Sequence, residues 1–178
     1  MTPLSAHLTS SEYMRVITRM STQRLHEPWK TPPKSGPCAC AQLRRTARKI
    51  SSFYDAILKP AGLTNTQHSL LVNIGRSGQI SRTALAERLG MDRTTLTRNL
   101  RPIELEGLVD SLQSEDRRER LLTLSAAGTR RLRQSYVLWE EAQRAVTQTI
   151  GKDNLEHLRN ALKSAEHAIE LASKRRPR

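Results

Sequence analysis

The stretch SRTALAERLGMDRTTLTRNL, residues 81–100, constrains the fold most, because it encodes two short helices separated by a tight turn. Ser81 and Asp92 are residue types that cap the N-terminus of a helix, and Gly90 suits the left-handed conformation that often ends one. Apolar residues recur at helical spacing on both sides of this glycine, at Leu85, Leu89, Leu96, Leu100 and Ile103. The pattern predicts a helix-turn-helix whose second helix begins at Asp92.

Apolar residues at helical spacing predict two helices before this pair. The first runs from Cys40 to Pro60, and the second is capped by Thr64 and ends between Gly75 and Gly78. Residues 1–37 hold a short amphipathic segment and a proline-rich run, HEPWKTPPKSGP, and are interpreted as an N-terminal extension and linker.

The segments after the pair predict a hairpin and two more helices. Pro102 removes a helical hydrogen bond at a cost of about 3 kcal/mol, so the second helix of the pair is expected to kink or end near Arg101. LVDSLQ and RLLTLS alternate partly between apolar and polar residues and predict an antiparallel hairpin. A long helix from Ser125 to Gly151 and a final helix follow. The expected fold class is mainly α with a small β-hairpin.

The last two helices carry apolar residues in alternating steps of four and three, the spacing of helices that pack lengthwise on each other. They predict a homodimer interface. The predicted organisation is an extension at 1–37, a helical dimerisation region at 38–63 and 126–174, a domain of helix-turn-helix and hairpin at 64–125 and a basic tail at 175–178.

The charge of the chain favours a polyanionic partner. Lys and Arg number 30 against 17 Asp and Glu, giving a net charge of +13. Nucleic acid is the leading candidate, and because only 3% of residues are aromatic and stacking rings are few, duplex is favoured over single strands. The sequence has no apolar run long enough to span a membrane, and it has no secretion signal. We therefore expect a cytoplasmic protein without a membrane partner.

The helix after Asp92 predicts a surface that reads DNA. Five residues on one face carry cationic or hydroxyl side chains, namely Arg93, Thr94, Thr97, Arg98 and Arg101. Such side chains recognise base edges in the major groove, so residues 64–125 are predicted to form a DNA-binding domain. The alternative is a merely solvated face. The hairpin tip adds Arg117, Arg118 and Arg120, which we expect to reach a minor groove or its phosphates, with Asp116 orienting one of them.

The stretches DRTTLTRNLRPIELEGLV and DRRERLLTLSAAG together resemble the MarR family of bacterial winged helix-turn-helix transcription regulators. The positions that match the family's wing signature are Asp116, Arg118, Leu122, Leu124, Ser125 and Gly128. The similarity covers about residues 38–172. It implies a two-fold dimer that places two recognition helices on a pseudo-palindromic duplex site, most often to repress a promoter. Half-sites would lie roughly 34 Å apart.

The resemblance also implies an effector, either a small aromatic or phenolic ligand or an oxidant. Small ligands in this family lodge where the dimer helices meet the DNA-binding lobe, which makes candidates of Arg44, Arg48, His68, Tyr136 and Trp139. CAQLRRTARKISSFY resembles the organic-peroxide-sensing branch, with Cys40 as the sensing thiol and Tyr54 as its partner, although Arg44 replaces a second tyrosine there. A helix start and nearby arginines favour a thiolate at Cys40. The alternative is that Cys38 and Cys40 only pack near a helix start.

Two other classes of function compete with a regulator. An architectural DNA-coating protein without an effector would need only the basic charge. An enzyme is not expected, because the five histidines are scattered and no phosphate-binding loop or nucleophile motif occurs. We expect no cofactor and no metal, since Cys38 and Cys40 have no further cysteine or histidine near them in sequence.

Overall fold

The computed structural model describes residues 11, 36–113 and 120–175. The chain divides into two units, Met1–Arg45 and Thr46–Arg178, and all packing below lies in the second. The elements are α1 (Ala39–Leu58), α2 (Asn65–Ser77), β1 (Ile80–Ser81), α3 (Arg82–Arg88), α4 (Arg93–Leu105), β2 (Val109–Gln113), β3 (Arg120–Leu124), α5 (Ala126–Ile150) and α6 (Lys152–Arg175). The predicted amphipathic segment and linker before residue 36 and the tail after Arg175 lie outside the described residues.

Side-chain caps begin four of the helices, as predicted. Thr64 forms a reciprocal capping box with Gln67 at the start of α2. The other three caps each accept a hydrogen bond from a backbone N–H three residues on, at Ser81, Asp92 and Ser125. Each cap satisfies an amide that the first helical turn leaves free, so these helix starts are fixed locally.

One apolar core joins α2, α3 and α4 to a three-stranded antiparallel sheet of order β1-β3-β2. Leu71, Leu85, Leu100 and Leu122 are completely buried in it. Val109 pairs with Leu124 and Ile80 with Leu122 across the sheet. The strand β1 was not predicted, because two residues are too short for an alternating pattern. The core fixes α4 by its apolar side and leaves the opposite side exposed.

One helix boundary differs from the predictions. The helix α4 does not end near Arg101 but continues through Pro102 to Leu105. Arg98, whose carbonyl loses its partner, and Pro102 are both exposed, so water can bond the free oxygen. The helix α2 ends within the predicted range: Gly75 lies inside it, and Gly78, at a φ of +69°, caps its C-terminus.

A second apolar cluster joins the C-terminal part of α1 to α5 through Tyr54, Leu58 and Ala142. In contrast, α6 buries only Leu155 among its described residues. Its Ile169 is 67% exposed and its Leu162 37% exposed. An apolar stripe thus remains uncovered along α6. Within the described ranges, no helix is long and apolar enough to cross a membrane.

Candidate nucleic-acid interface

The predicted reading face of α4 is exposed as a unit. Its five residues line one surface depression of about 440 Å³, namely Arg93, Thr94, Thr97, Arg98 and Arg101. On the opposite side of the same helix, Leu96, Leu100 and Ile103 are buried in the core. The helix is therefore held by its leucines while its cationic side remains open.

The three arginines of this face are free of described acidic partners. Among residues 36–113 and 120–175, no carboxylate lies within ion-pair distance of Arg93, Arg98 or Arg101. The pairs that do form involve Arg82 with Glu104 and Arg131 with Glu106. The guanidinium donors of the reading face thus remain available to a bound anion or base edge.

The start of α4 is held by a dense set of hydrogen bonds. The Asp92 carboxylate accepts from the Thr95 backbone N–H at 2.8 Å and from the Thr95 hydroxyl at 2.7 Å. The backbone hydrogen bond, assisted by the hydroxyl, lowers the pKa of Asp92 from its ordinary value. Thr97 Oγ1 donates to the Arg93 carbonyl at 2.8 Å, and Asn99 Nδ2 to the Thr95 carbonyl at 2.9 Å.

An ion pair sets the position of α4 against α3. Arg82, the first residue of α3, donates to Glu104 near the end of α4 at 2.5 Å. The two residues are 22 positions apart, and sequence analysis did not find the pair. The contact depends on how α3 and α4 pack against each other, and the spacing of the two residues in the sequence does not indicate it.

The hairpin of β2 and β3 was predicted, but its tip lies only partly within the described residues. Arg120 is exposed at the start of β3, where it pairs with Gln113. Asp116, Arg117 and Arg118 lie outside the described residues, so their roles in contacting DNA and orienting the wing stay predictions.

An aromatic cluster brings together three of the residues predicted to bind a ligand. The His68 ring stacks on Trp139 at 5.8 Å between centroids, and Tyr136 lies 5.6 Å from Trp139. The Ser135 hydroxyl donates to the Leu132 carbonyl, so it accepts from His68 Nδ1–H at 2.9 Å. Burial lowers the pKa of His68 from 6.5 to about 4. No sequence pattern pointed to Ser135, which is 67 residues from its partner.

Two neighbouring cavities adjoin this cluster. One of about 240 Å³ is lined by His68, Tyr136 and Trp139 together with α2 residues that include Arg76. The other, of about 650 Å³, lies between α2, β3 and α5, and both Arg76 and Arg133 line it. Sequence analysis missed these two arginines. Arg48 and Arg44 are exposed on α1, and their role in ligand binding stays a prediction.

The predicted redox residues have opposite exposures. Cys38 and Cys40 are free thiols and exposed. Tyr54 is buried, and this burial raises the pKa of its hydroxyl, while the nearby charge of Arg159 opposes the shift. Within the described part of the chain, no three histidine, cysteine or carboxylate side chains come together as a metal site. A sensing role for Cys40 and Tyr54 stays a prediction.

Sequence comparisons match the region just described. A family model described as MarR family matches residues 63–119. Two Bacillus subtilis proteins, both named uncharacterized HTH-type transcriptional regulators, are similar: YwoH is 31% identical over 84 residues and YybA 32% over 73. These matches cover 47% and 41% of this chain. The chain spans 61% of the length of YwoH and 49% of that of YybA.

Solved structures extend the similarity beyond the helix-turn-helix. The M. tuberculosis transcriptional regulator MosR, solved in complex with DNA, is 37% identical with a TM-score of 0.64, and the match covers 74% of this chain and 98% of MosR. MarR from E. coli is 23% identical with a TM-score of 0.59, covering 72% of this chain and 97% of MarR, and shares the fold. From the match to MosR and the family model, the chain belongs to the MarR family of winged helix-turn-helix transcriptional regulators.

Proposed function

We propose that this protein is a homodimeric repressor that binds specific sequences of double-stranded DNA by inserting α4 into the major groove. The observation that carries the proposal is the reading face of α4, which exposes three arginines without described acidic partners and two threonines. Arginine can donate two hydrogen bonds to guanine, and each base pair presents a distinct pattern in the major groove. The complex of MosR with DNA supports the same partner for this chain.

The hairpin is proposed as a second contact with DNA. Arg117, Arg118 and Arg120 would lie on the minor groove or the phosphates, with Asp116 orienting one of them. Contacts of this kind add affinity without choosing a sequence. The net charge of +13 supports the long-range attraction on which such binding depends.

The uncovered stripe of α6 supports a homodimer. Leu162 and Ile169 are exposed on one helix, and Ala165 lies between them. A contiguous apolar stripe on a soluble regulator marks an interaction surface. A second copy is the proposed partner, since two-fold pairing presents two α4 helices to successive major grooves and explains a pseudo-palindromic site with half-sites roughly 34 Å apart.

Loss of the Arg98 guanidinium is expected to reduce sequence choice. Arg98→Ala should lower affinity for the preferred duplex by about 1–3 kcal/mol, because one bidentate base contact is worth that much, and should leave binding to random duplex almost unchanged. Arg118→Ala should instead weaken binding to all sequences and reduce the salt slope by about 1. Fluorescence anisotropy at two salt concentrations measures both effects, using a duplex selected from a random library.

The control is Arg144→Ala, which removes an exposed arginine of α5 that does not line the depression of the reading face. Its affinity and salt slope should match the wild type. Equal loss on preferred and random duplexes for Arg98→Ala would argue against sequence reading by α4. If the wild type selects no sequence and coats DNA uniformly, the architectural alternative replaces the regulator. Two chains bound to each selected duplex would agree with the dimer.

The cavities beside the aromatic cluster are proposed to take the effector. They combine an apolar wall, which includes Tyr136 and Leu132, with the cations Arg76 and Arg133. This combination suits a small aromatic anion, because the ring contacts the wall and the guanidinium pairs with the carboxylate or phenolate. The larger cavity touches both α2 and β3, so a ligand there would shift the wing relative to the helix-turn-helix and release the DNA.

Salicylate is a suitable probe for this cavity, and we expect it to weaken binding to the selected duplex. Arg76→Ala should raise the salicylate concentration needed for release at least tenfold, since one charge-assisted hydrogen bond contributes about 1.5–3 kcal/mol. Anisotropy with increasing salicylate measures the shift. Neutral salicylamide should act weakly on both proteins. Equal sensitivity of wild type and Arg76→Ala would rule out this cavity, and release by peroxide that Cys40→Ser abolishes would favour the oxidant instead.

A further inference from the structure

Two threonine hydroxyls at the start of α4 are already engaged within the protein. Thr95 donates its hydroxyl hydrogen to Asp92, and Thr97 donates its own to the Arg93 carbonyl at 2.8 Å. A hydroxyl has a single hydrogen to donate. Thr97 therefore cannot donate to a base without breaking a bond that the free protein holds.

This bond also determines which part of Thr97 faces outward. The two substituents on a threonine Cβ diverge at the tetrahedral angle, so turning the oxygen toward the backbone leaves the methyl group as the outer substituent. Thr97 is exposed and lies in the depression that Arg93, Arg98 and Arg101 also line. The centre of the reading face thus presents an apolar group among cationic donors.

The major groove has one apolar group that can meet it. Guanine offers two acceptors to an arginine, adenine and cytosine offer an amine, and only thymine carries a methyl group at the groove surface. An arginine cannot accept a hydrogen bond, so the three arginines favour guanine or phosphate around the central methyl.

We propose that Thr97 is a specificity-determining residue that packs its methyl group on the 5-methyl group of a thymine in each half-site, beside guanine read by Arg98. The inference rests on the proposed DNA-binding function and adds to it a base and a chemical group. Thr97 thus recognises thymine by packing, while the arginines recognise their bases by hydrogen bonds.

Replacement of single thymines by deoxyuridine in the selected duplex tests the proposal, since deoxyuridine lacks only the methyl group. At one symmetric position in each half-site, wild type should lose affinity about fourfold per half-site, the ratio that burial of one methyl group supplies. Thr97→Val keeps an outward methyl group and should keep this preference for thymine. Thr97→Ser keeps the hydroxyl but loses the methyl, and should bind both duplexes equally. Thr147→Ser is the control, because the Thr147 hydroxyl also donates to the carbonyl four residues before it and Thr147 lies outside the reading face, and it should keep the wild-type ratio at that position.

The reverse pattern would overturn the proposal: preference for thymine kept by Thr97→Ser and lost by Thr97→Val would make the hydroxyl the reader. Wild type that binds every deoxyuridine duplex as tightly as the selected duplex would also overturn it, while leaving sequence-specific binding intact. Failure of the wild type to select any sequence would instead refute the proposed function, and this inference with it. Thermal unfolding of each variant confirms that a changed ratio comes from a folded protein.

Discussion

Gly128→Ala is expected to destabilise the protein by about 3 kcal/mol or more, at the upper end of the range for overpacked cores. A Cβ at this position would overlap the backbone carbonyl oxygen of Leu108 and lie 2.9 Å from its carbonyl carbon. The Leu108 oxygen also accepts the Ser125 backbone N–H at 3.1 Å, and the Ser125 hydroxyl donates to the Gly107 carbonyl at 2.6 Å. These hydrogen bonds hold the segment at Gly107 and Leu108 against the start of α5, so the Leu108 carbonyl cannot turn away as a side chain would.

Urea unfolding at a fixed protein concentration measures this loss, because dimer formation makes apparent stability depend on concentration. Gly75→Ala provides a matched control in a helix. Its Cβ would approach Leu124 Cδ1 at 2.9 Å, the end of a flexible side chain, and alanine gains about 1 kcal/mol in helix propensity. The control should therefore be much less destabilised. If Gly128→Ala is as stable as Gly75→Ala, the contact with Leu108 is not a constraint on the fold.

Lowering the pH from 6.5 to about 4 should remove about 3 kcal/mol of stability through His68, because each unit of pKa difference between the folded and unfolded states is worth 1.36 kcal/mol. His68 is 2% exposed, and burial lowers its pKa from 6.5 to about 4. In this range the unfolded chain binds a proton at His68 and the folded chain does not, so acid favours unfolding. The stability that the lowered pKa of His68 contributes is fully present above pH 6.5 and is lost as the pH falls toward 4.

Urea midpoints measured from pH 7.5 to pH 4 give the slope of stability against pH. His68→Gln should reduce it, although loss of the stacking on Trp139 lowers stability at every pH. His157→Gln changes an exposed histidine of α6 and should keep the wild-type slope. The pKa of Asp92 is lowered from its ordinary value of 3.8, so this carboxylate affects stability only below the pH range of the measurement. An unchanged slope in His68→Gln would assign the pH dependence to other groups.

The sequence alone determined the local features of this protein. The caps at Thr64, Ser81, Asp92 and Ser125 were read from residue types, because a cap bonds to an amide only three residues away. The division of α4 into a buried and an exposed face followed from the helical repeat, since a stripe of leucines on one side leaves the other side for arginine and threonine.

Only the tertiary structure decided the features that join distant segments. The pair of Arg82 with Glu104 spans 22 residues and that of His68 with Ser135 spans 67, so neither spacing carries a pattern. Gly128 is part of a family signature. The physical reason for a glycine at this position is the close approach of the Leu108 carbonyl, which arises only when α5 packs against the residue before β2. The continuation of α4 through Pro102 likewise depended on the exposure of this part of the helix, because a lost hydrogen bond is tolerated where water can replace it.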